Sequence, residues 1–167
     1  MARAAPRGHA KTMFNSNTYP IHELVFKKRQ FILIISETAN LSATLIRYIA
    51  EQLKYNEKLR EDYGELLSPS KQLNDIDNNE MFETTTGALV RSGSIGKAIR
   101  GARNGGQRPD LIICDDLESM DNTNTPEARE KIFTGITQLL CLLEHLRRQA
   151  LFTWEQWCME VVCFLTY

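Results

Sequence analysis

Two polar stretches, far apart in the chain, hold the residue types that bind nucleotide phosphates and Mg²⁺. The first is Lys11-Thr12, which follows the short segment 5–10. A lysine ammonium can neutralise the β- and γ-phosphates of a nucleotide, and a threonine hydroxyl beside it can bind Mg²⁺. The second is Asp115-Asp116, in which one carboxylate can hold hydrated Mg²⁺ while the other orients an attacking water. Together these residues would supply the chemistry of nucleoside triphosphate hydrolysis.

The segment 5–12, Ala-Pro-Arg-Gly-His-Ala-Lys-Thr, departs from the usual phosphate-loop pattern. That pattern, GxxxxGK[ST], requires glycine at positions 5 and 10, and both are alanine here. Of these eight residues, only Gly8 supplies the backbone freedom of glycine. The pattern alone therefore leaves open a basic N-terminal tail with no phosphate site, and the acids at 115–116 alone could be an acidic loop after a strand.

Two continuous apolar runs predict the strands that would position these residues. Residues 111–114 form one run, between Pro109 and the acids, and residues 31–35 form the other. Runs of this length without polar alternation are typical of parallel strands that are buried on both faces. Ligands of such sheets bind at the carboxyl ends of the strands. The pair Asp115-Asp116 lies at that end of its strand.

The rest of the chain predicts an α/β fold. Apolar residues recur at three- and four-residue spacing over 40–63, which predicts one amphipathic helix of about six turns that ends at Gly64. Residues 81–91 predict a short hairpin at the sheet edge, and polar residues 68–80 predict a loop. A strand, a helix and a further strand in this order form a βαβ unit, which places the helix on the sheet face.

Composition leaves the function class open. With 167 residues and a net charge of −1, the chain is expected to form one domain without a global field that would attract nucleic acid. The four cysteines form no CxxC pair, so neither a zinc site nor a disulfide is indicated. No apolar run has the length of a membrane span, and residues 1–11 lack the apolar core of a secretory signal. A cytoplasmic location is the expectation.

Between residues 88 and 109 the chain is rich in glycine and cations and contains no acid. The cations are Arg91, Lys97, Arg100, Arg103 and Arg108. Guanidinium groups match phosphate geometry, so this segment could contact DNA or the γ-phosphate of a nucleotide. A solvated basic loop is an equally good interpretation of the composition.

In their order and spacing, these segments resemble the large terminase subunit, the ATPase that drives DNA into the heads of tailed bacteriophages. That family has a deviant phosphate loop in which arginine precedes Gly-x-x-Lys-Ser/Thr, as in residues 5–12. It also has a strand ending in Ser-x-Thr, as in residues 31–38. A glycine- and arginine-containing segment then leads to Arg-Pro-Asp and an apolar strand that closes in Asp-Asp, as in residues 96–116. The resemblance covers residues 5–137.

The resemblance implies a fold of the P-loop NTPase type, with three layers and a mainly parallel central sheet, incomplete at both ends. It implies that ATP and Mg²⁺ are the cofactors, with Thr12 and Asp115 as the metal-binding residues. Asp116 would polarise the attacking water, and Glu118 is its substitute candidate. The residues that would hold the phosphates are Arg7, Gly8, His9, Ala10, Lys11 and Thr12.

By the same resemblance, two arginines would act on the transferred phosphate. Arg7 would lie near the γ-phosphate as a sensor. Arg100 or Arg103 would be the finger that reaches the nucleotide of a neighbouring subunit, and the sequence leaves open which of the two it is. The implied partners are double-stranded DNA, the portal protein, the small terminase subunit and further copies of the same chain, with no membrane.

The sequence also departs from the family. Residues 1–4 lack the buried strand expected before the phosphate loop, and residues 139–167 match nothing in the family. The expected division is a partial ATPase domain at 1–138 and a divergent tail at 139–167, which a shifted reading frame would explain. The tail could hold a helix and a terminal strand, or be a stretch never selected to fold. We therefore expect a truncated prophage remnant that binds ATP weakly, without appreciable turnover. The alternatives are a non-catalytic remnant, a helicase-like ATPase, and a metal nuclease at Asp115, Asp116 and Glu118.

Overall fold

The computed structural model describes residues 2–3, 10, 12–94, 108–117 and 160–164, together with the helical positions 127, 130, 134 and 137. For 2–3 and 160–164 the description is limited to the backbone. Within these ranges the chain forms one sheet with helices packed against it. None of the described helices is long and apolar enough to cross a membrane.

The sheet is mostly parallel. Its strands are β1 (Ala2–Arg3), β2 (Phe31–Ser36), β3 (Met81–Glu83), β4 (Leu89–Ser94), β5 (Leu111–Cys114) and β6 (Glu160–Phe164). Their spatial order is β1-β6-β5-β2-β4-β3, and every neighbouring pair is parallel except β3 and β4. The predicted α/β class with a mainly parallel sheet is therefore confirmed.

The two apolar runs form the centre of this sheet. β2 and β5 pair in register from Ile32 with Leu111 to Ile35 with Cys114. All residues of both strands are buried. Successive side chains of a strand point to opposite faces, and here both faces are covered. This is why neither run shows polar alternation.

The predicted hairpin is also present. β3 and β4 are antiparallel, with Glu83 opposite Leu89, and β3 forms the end of the sheet. Thr84 closes the turn, because its Oγ1 accepts the Ala88 N–H at 3.0 Å. Gly87 has a φ of 80°, a left-handed conformation that glycine adopts without strain.

Five helical segments are described over their full length. They are a π-helical segment at Met13–Thr18, α1 at Tyr19–Val25, α2 at Ala39–Tyr55, α3 at Glu57–Tyr63 and a 3₁₀ turn at Lys71–Leu73. α2 begins where β2 ends, and the Thr38 hydroxyl caps it by accepting the Leu41 N–H at 3.3 Å. Because α2 follows a strand and returns along the sheet, its first turn lies at the carboxyl edge.

The single helix predicted over 40–63 is two helices, so that prediction was wrong. The first helix ends at Tyr55, and Asn56 is extended, with φ −75° and ψ 104°. The Asn56 side chain accepts the Leu59 N–H at 3.4 Å and so caps α3. No residue of α3 is buried, so apolar periodicity continued into a helix that does not pack on the core. Gly64 ends α3 with a φ of 80°, as the sequence predicted.

The helices α1 and α2 pack on one face of the sheet. The core on that face combines α1 and α2 residues with alternate residues of the strands, among them Leu24, Ile46, Ile49, Leu53, Ile32, Ile34, Leu111 and Ile113. The other face carries a second buried cluster that includes Phe31, Leu33, Ile35, Ile112, Cys114 and Leu117. The described helices thus provide one helical layer, and the predicted third layer lies outside the described residues.

Residues 2–3 form a short strand, β1, of which only the backbone is described, so the expectation that residues 1–4 hold no buried strand stays a prediction. β1 is only two residues long and pairs with Cys163 and Phe164 of β6. A two-residue strand has no apolar run, and its pairing with the far end of the chain leaves no local signal. β6 also pairs with β5 along its length, which agrees with the alternative in which the tail ends in a strand.

A buried ion pair fixes the loop after α3. Nζ of Lys54 donates to Oδ2 of Asp77 at 2.6 Å, and their side chains are 8% and 6% exposed. Asn74 also donates to Asp77, at 2.8 Å. Burial would raise the pKa of Asp77, but the hydrogen bonds from Lys54 and Asn74 hold it below its ordinary value. No sequence pattern indicated this contact, because charged residues in a polar segment are usually solvated.

Candidate functional site

The side chains of Thr12 and Asp115 meet at the carboxyl edge of the sheet. Oγ1 of Thr12 donates to Oδ1 of Asp115 at 3.4 Å, across 103 positions of sequence. Asp115 is only 4% exposed, and its N–H donates to the Ile35 carbonyl at 2.9 Å. That bond continues the pairing of β5 with β2 and fixes the backbone of Asp115. The resemblance assigned both residues to one metal site, and the structure places their side chains in contact. Lys11, which the resemblance assigned to the phosphates, lies outside the described residues.

Ala10 holds the chain in a left-handed conformation just before Thr12. Its φ is 51°, and its carbonyl accepts the Phe14 N–H at 3.0 Å. Side chains with a Cβ adopt this conformation at a cost, whereas glycine does so freely. Position 10 is the one at which the usual phosphate-loop pattern has glycine. The backbone at position 10 thus has a conformation that suits the glycine of this pattern, although the residue here is alanine.

The two acids after β5 occupy different environments. Asp115 is buried, whereas Asp116 is exposed and has a φ of 43°. The Asp116 carbonyl accepts the Glu37 N–H at 3.1 Å, which joins the second residue after β5 to the first residue after β2. Aspartate tolerates the left-handed region better than most residues do. The turn therefore directs the two acids into different surroundings, one inside the protein and one in solvent.

Glu37 is a further acid at this edge that the sequence did not indicate as a site residue. It directly follows β2, and its side chain is half-buried. Its place could have been inferred from the Ser-x-Thr segment, because β2 and β5 are neighbours and their carboxyl ends lie together.

The residues present fit a Mg²⁺ ion. Mg²⁺ prefers oxygen ligands, keeps several waters and needs only one or two carboxylates from the protein. Thr12 and Asp115 offer a hydroxyl and a carboxylate within hydrogen-bonding distance of each other. A buried carboxylate is also stabilised by a cation. Over the described ranges, no group of three or more His, Cys, Asp or Glu side chains is arranged to hold a metal.

Several predicted site residues lie outside the described part of the chain. They are Arg7, Gly8, His9, Lys11, Glu118, Arg100 and Arg103. Of the basic segment, Arg91 and Arg108 are described, and both are half-buried. These two cations are partly shielded from solvent, because Arg91 lies within β4 and Arg108 directly precedes the buried Pro109.

A second buried aspartate, Asp110, lies at the opposite end of β5. Its carboxylate accepts the Gln30 N–H at 2.7 Å and the Phe31 N–H at 3.1 Å. Arg29 donates to the Asp110 carbonyl at 3.3 Å and to Glu23 at 3.1 Å. Burial raises the pKa of Asp110, although the two amides and the Arg29 charge oppose the shift. These bonds join the amino ends of β2 and β5 and so fix the register that carries Asp115 to the site.

The chain matches no protein-family model, and no curated protein matches it. The resemblance to terminase ATPases therefore rests on the residues of this sequence and on their order.

Proposed function

We propose that this chain binds Mg²⁺–ATP at Thr12 and Asp115 and is the ATPase part of a bacteriophage DNA-packaging motor of the large terminase type. The hydrogen bond between Thr12 and Asp115 is the observation that carries the proposal. It joins the two stretches whose residue types fit phosphate and metal chemistry. It also lies at the sheet edge where ligands of parallel sheets bind.

Each residue of the site has a separate task in this proposal. The Thr12 hydroxyl and, through water, the Asp115 carboxylate hold Mg²⁺, which neutralises charge on the phosphates when it is bound. Ala10, at the position that holds glycine in the usual phosphate loop, has a left-handed backbone just before Thr12. Asp116 is exposed on the same edge, where its carboxylate can accept a hydrogen bond from the attacking water and orient it. Lys11 and Arg7 would bind the phosphates, as the resemblance implies.

Of the alternatives, the metal nuclease is the one on which the described geometry bears. A nuclease of this type would use adjacent carboxylates on shared metal ions. Asp115 is buried and Asp116 is exposed, which favours one metal-bound and one solvent-facing carboxylate. DNA, the portal protein, the small terminase subunit and further copies of the chain are the partners that the proposal includes.

The test is equilibrium binding of ATP to the whole chain by calorimetry, with Mg²⁺ and with EDTA. We expect binding that depends on Mg²⁺ and that weakens at least about tenfold in Thr12→Val, which removes the hydroxyl and keeps the shape. Thr12→Ser keeps the hydroxyl and is the matched control, with an expected affinity close to that of the original chain. Circular dichroism of each variant verifies that the fold is kept.

Phosphate release is measured on the same samples. We expect little turnover by a single chain, because an arginine from a neighbouring subunit contributes roughly 10³–10⁵ in rate where such fingers are used. ATP binding that is equally strong in EDTA, or unchanged in Thr12→Val, would contradict the proposed site. A fast rate that disappears in Lys11→Ala would show instead that one chain is a complete ATPase.

A further inference from the structure

The strand β2 ends in a serine that is buried as deeply as the apolar residues before it. Ser36 is 2% exposed, and residues 31–35 are between 0% and 2% exposed. A hydroxyl that leaves water loses free energy unless it gains a hydrogen-bond partner. The five apolar residues of the same strand show that core packing does not require a hydroxyl at its carboxyl end. The position of Ser36 relative to the candidate site indicates what this hydroxyl serves.

The two buried clusters define the face of the sheet on which the Ser36 side chain lies. Ile34 belongs to the cluster that contains α1 and α2 residues, and Ile35 belongs to the cluster on the other face. Successive side chains of a strand point to opposite faces, so Ser36 points to the face of Ile34. In the neighbouring strand β5, Ile113 lies on this same face and Cys114 on the other. The hydroxyl of Ser36 is thus found where the apolar core of α1 and α2 ends, at the carboxyl edge.

Asp115 lies beside Ser36 on the neighbouring strand. Ile35 pairs with Cys114, and the Asp115 N–H donates to the Ile35 carbonyl at 2.9 Å, so the pairing continues one residue past β5. This register places Asp115 opposite Ser36 and on the same face. The contact of Asp115 with Thr12 agrees, because Thr12 precedes the helical segment that leads into α1 on that face. Neighbouring strands lie roughly 4.8 Å apart, so a hydroxyl and a carboxylate at opposed positions can hydrogen-bond to the same water molecule.

We propose that Ser36 is a positioning residue of the Mg²⁺ site, where its hydroxyl accepts a hydrogen bond from the hydrated ion that Thr12 and Asp115 hold. This inference rests on the proposed function, since it takes the ion at that site as given. Mg²⁺ keeps several of its waters when a protein binds it, and those waters donate hydrogen bonds to groups around the site. Such groups contribute to metal affinity although they do not touch the metal. The burial of Ser36 keeps bulk water from competing for this hydrogen bond.

The next strand supplies a matched control, Ser92. It is also buried, at 9% exposure, and lies on the same face, as the buried Val90 two residues earlier shows. Ser92 pairs with Ile34 and not with Ser36, so its hydroxyl is one step deeper in the sheet and one strand further from Asp115. Ser92→Ala therefore removes a buried hydroxyl of the same kind without touching the proposed site.

The test measures metal binding and stability, and not turnover. The probe is Mn²⁺ alone, an ion that uses the same oxygen ligands as Mg²⁺ and whose free form is counted by electron paramagnetic resonance. In Ser36→Ala we expect Mn²⁺ affinity to fall about tenfold, the lower end of the loss typical when a group that orients a metal site is removed. Ser36→Thr keeps the hydroxyl and should stay within about threefold of the original chain, and Ser92→Ala within about twofold. In EDTA, Ser36→Ala should unfold at the same temperature as the original chain or higher, because a hydroxyl retained for the ion contributes nothing to the fold without it.

The outcomes separate this inference from the proposed function. If the chain binds neither Mn²⁺ nor Mg²⁺–ATP, both fail together. If it binds Mg²⁺–ATP in a way that depends on Thr12, but Ser36→Ala keeps full Mn²⁺ affinity or Ser92→Ala loses as much, the role of Ser36 alone is wrong. Absence of Mn²⁺ binding in a chain that binds Mg²⁺–ATP also overturns that role, because the groups of the chain would then not hold the hydrated ion.

Discussion

Two buried aspartates flank the same four-residue strand, and their carboxylates have different hydrogen-bond partners. Asp110, before β5, is 6% exposed, and its carboxylate accepts two backbone amides at 2.7 and 3.1 Å. Asp115, after β5, is 4% exposed, and its carboxylate accepts a side-chain hydroxyl at 3.4 Å. Backbone amides in a sheet cannot turn away, whereas a threonine hydroxyl can rotate toward another ligand. The carboxylate before β5 thus stabilises the fold, whereas the carboxylate after β5 can exchange its hydroxyl partner for another ligand.

Left-handed backbone occurs at both edges of the sheet. At the carboxyl edge, Ala10 and Asp116 have φ of 51° and 43°. Local strain of this kind is retained only where the surroundings enforce it, and it occurs often at functional sites. At the amino edge, Lys27 has a φ of 54°, in the turn that leads to Arg29. Arg29 connects Glu23 with the Asp110 carbonyl, so hydrogen bonds hold the chain directly after that turn.

The largest effect is expected from breaking the rigid edge. Asp110→Ala leaves the N–H groups of Gln30 and Phe31 without their acceptor, one of them fully buried. We expect the free energy of unfolding to fall by about 2–4 kcal/mol. Thr12→Val breaks the long contact at the other edge and should lower it by less than about 1 kcal/mol. Urea denaturation followed by circular dichroism measures both changes in the free energy of unfolding. Equal losses would contradict the inference that Asp110 stabilises the fold more than the Thr12–Asp115 contact does.

The stability contributions of Asp110 and Asp77 should depend on pH in opposite directions. The expected change in the free energy of unfolding is smaller than that of Asp110→Ala. Burial raises the pKa of Asp110 above the ordinary 3.8, so its contribution to stability is complete below 3.8 and is lost as pH rises through the raised value. Burial would raise the pKa of Asp77 too, but Lys54 and Asn74 lower it, so its contribution is present above 3.8 and is lost as pH falls through the lowered value.

The measurement is the free energy of unfolding between about pH 3 and pH 7 for the original chain, Asp110→Asn and Asp77→Asn. The difference in the free energy of unfolding between the original chain and Asp110→Asn should shrink as pH rises above 3.8. The corresponding difference for Asp77→Asn should shrink as pH falls below 3.8. Parallel curves for all three proteins would show that neither carboxyl is coupled to folding as described.

The two edges also differ in how far the sequence predicted them. The strands 31–36 and 111–114 were predicted almost to the residue, because a short run that is buried on both faces has no polar interruption. Since the carboxyl ends of parallel strands meet at one edge, that pattern also predicted where Asp115 lies. The hydrophobic pattern alone does not relate Thr12 to Asp115. Their relation was inferred from chemistry, because a nucleotide site must bind the phosphates and the metal ion together.

Other parts could not be predicted, for reasons that differ. The bonds of Asp110 join positions about 80 apart, and no local pattern records them. Lys54 and Asp77 are charged residues that are typical of solvent, yet they form a buried pair. The break at Asn56 depends on a side-chain cap that competes with a continuing helix. The segment 13–17 buries polar residues and exposes apolar ones, which contradicts the usual rule of burial, and a functional constraint is expected at such a place.

The last prediction uses the strain at the carboxyl edge, and its expected effect is the smallest. Ala10→Gly removes the Cβ from a residue with a φ of 51°. The relief of a left-handed alanine exceeds the entropy that glycine loses on folding, so stability should rise by about 0.5–1 kcal/mol. Ala43→Gly is the matched control within α2, where the same substitution should lower stability by about 1 kcal/mol. Opposite signs in urea denaturation are the expected result. If Ala10→Gly also destabilises the chain, the turn before Thr12 is not held in the left-handed conformation, and the resemblance of this turn to a phosphate loop loses its physical basis.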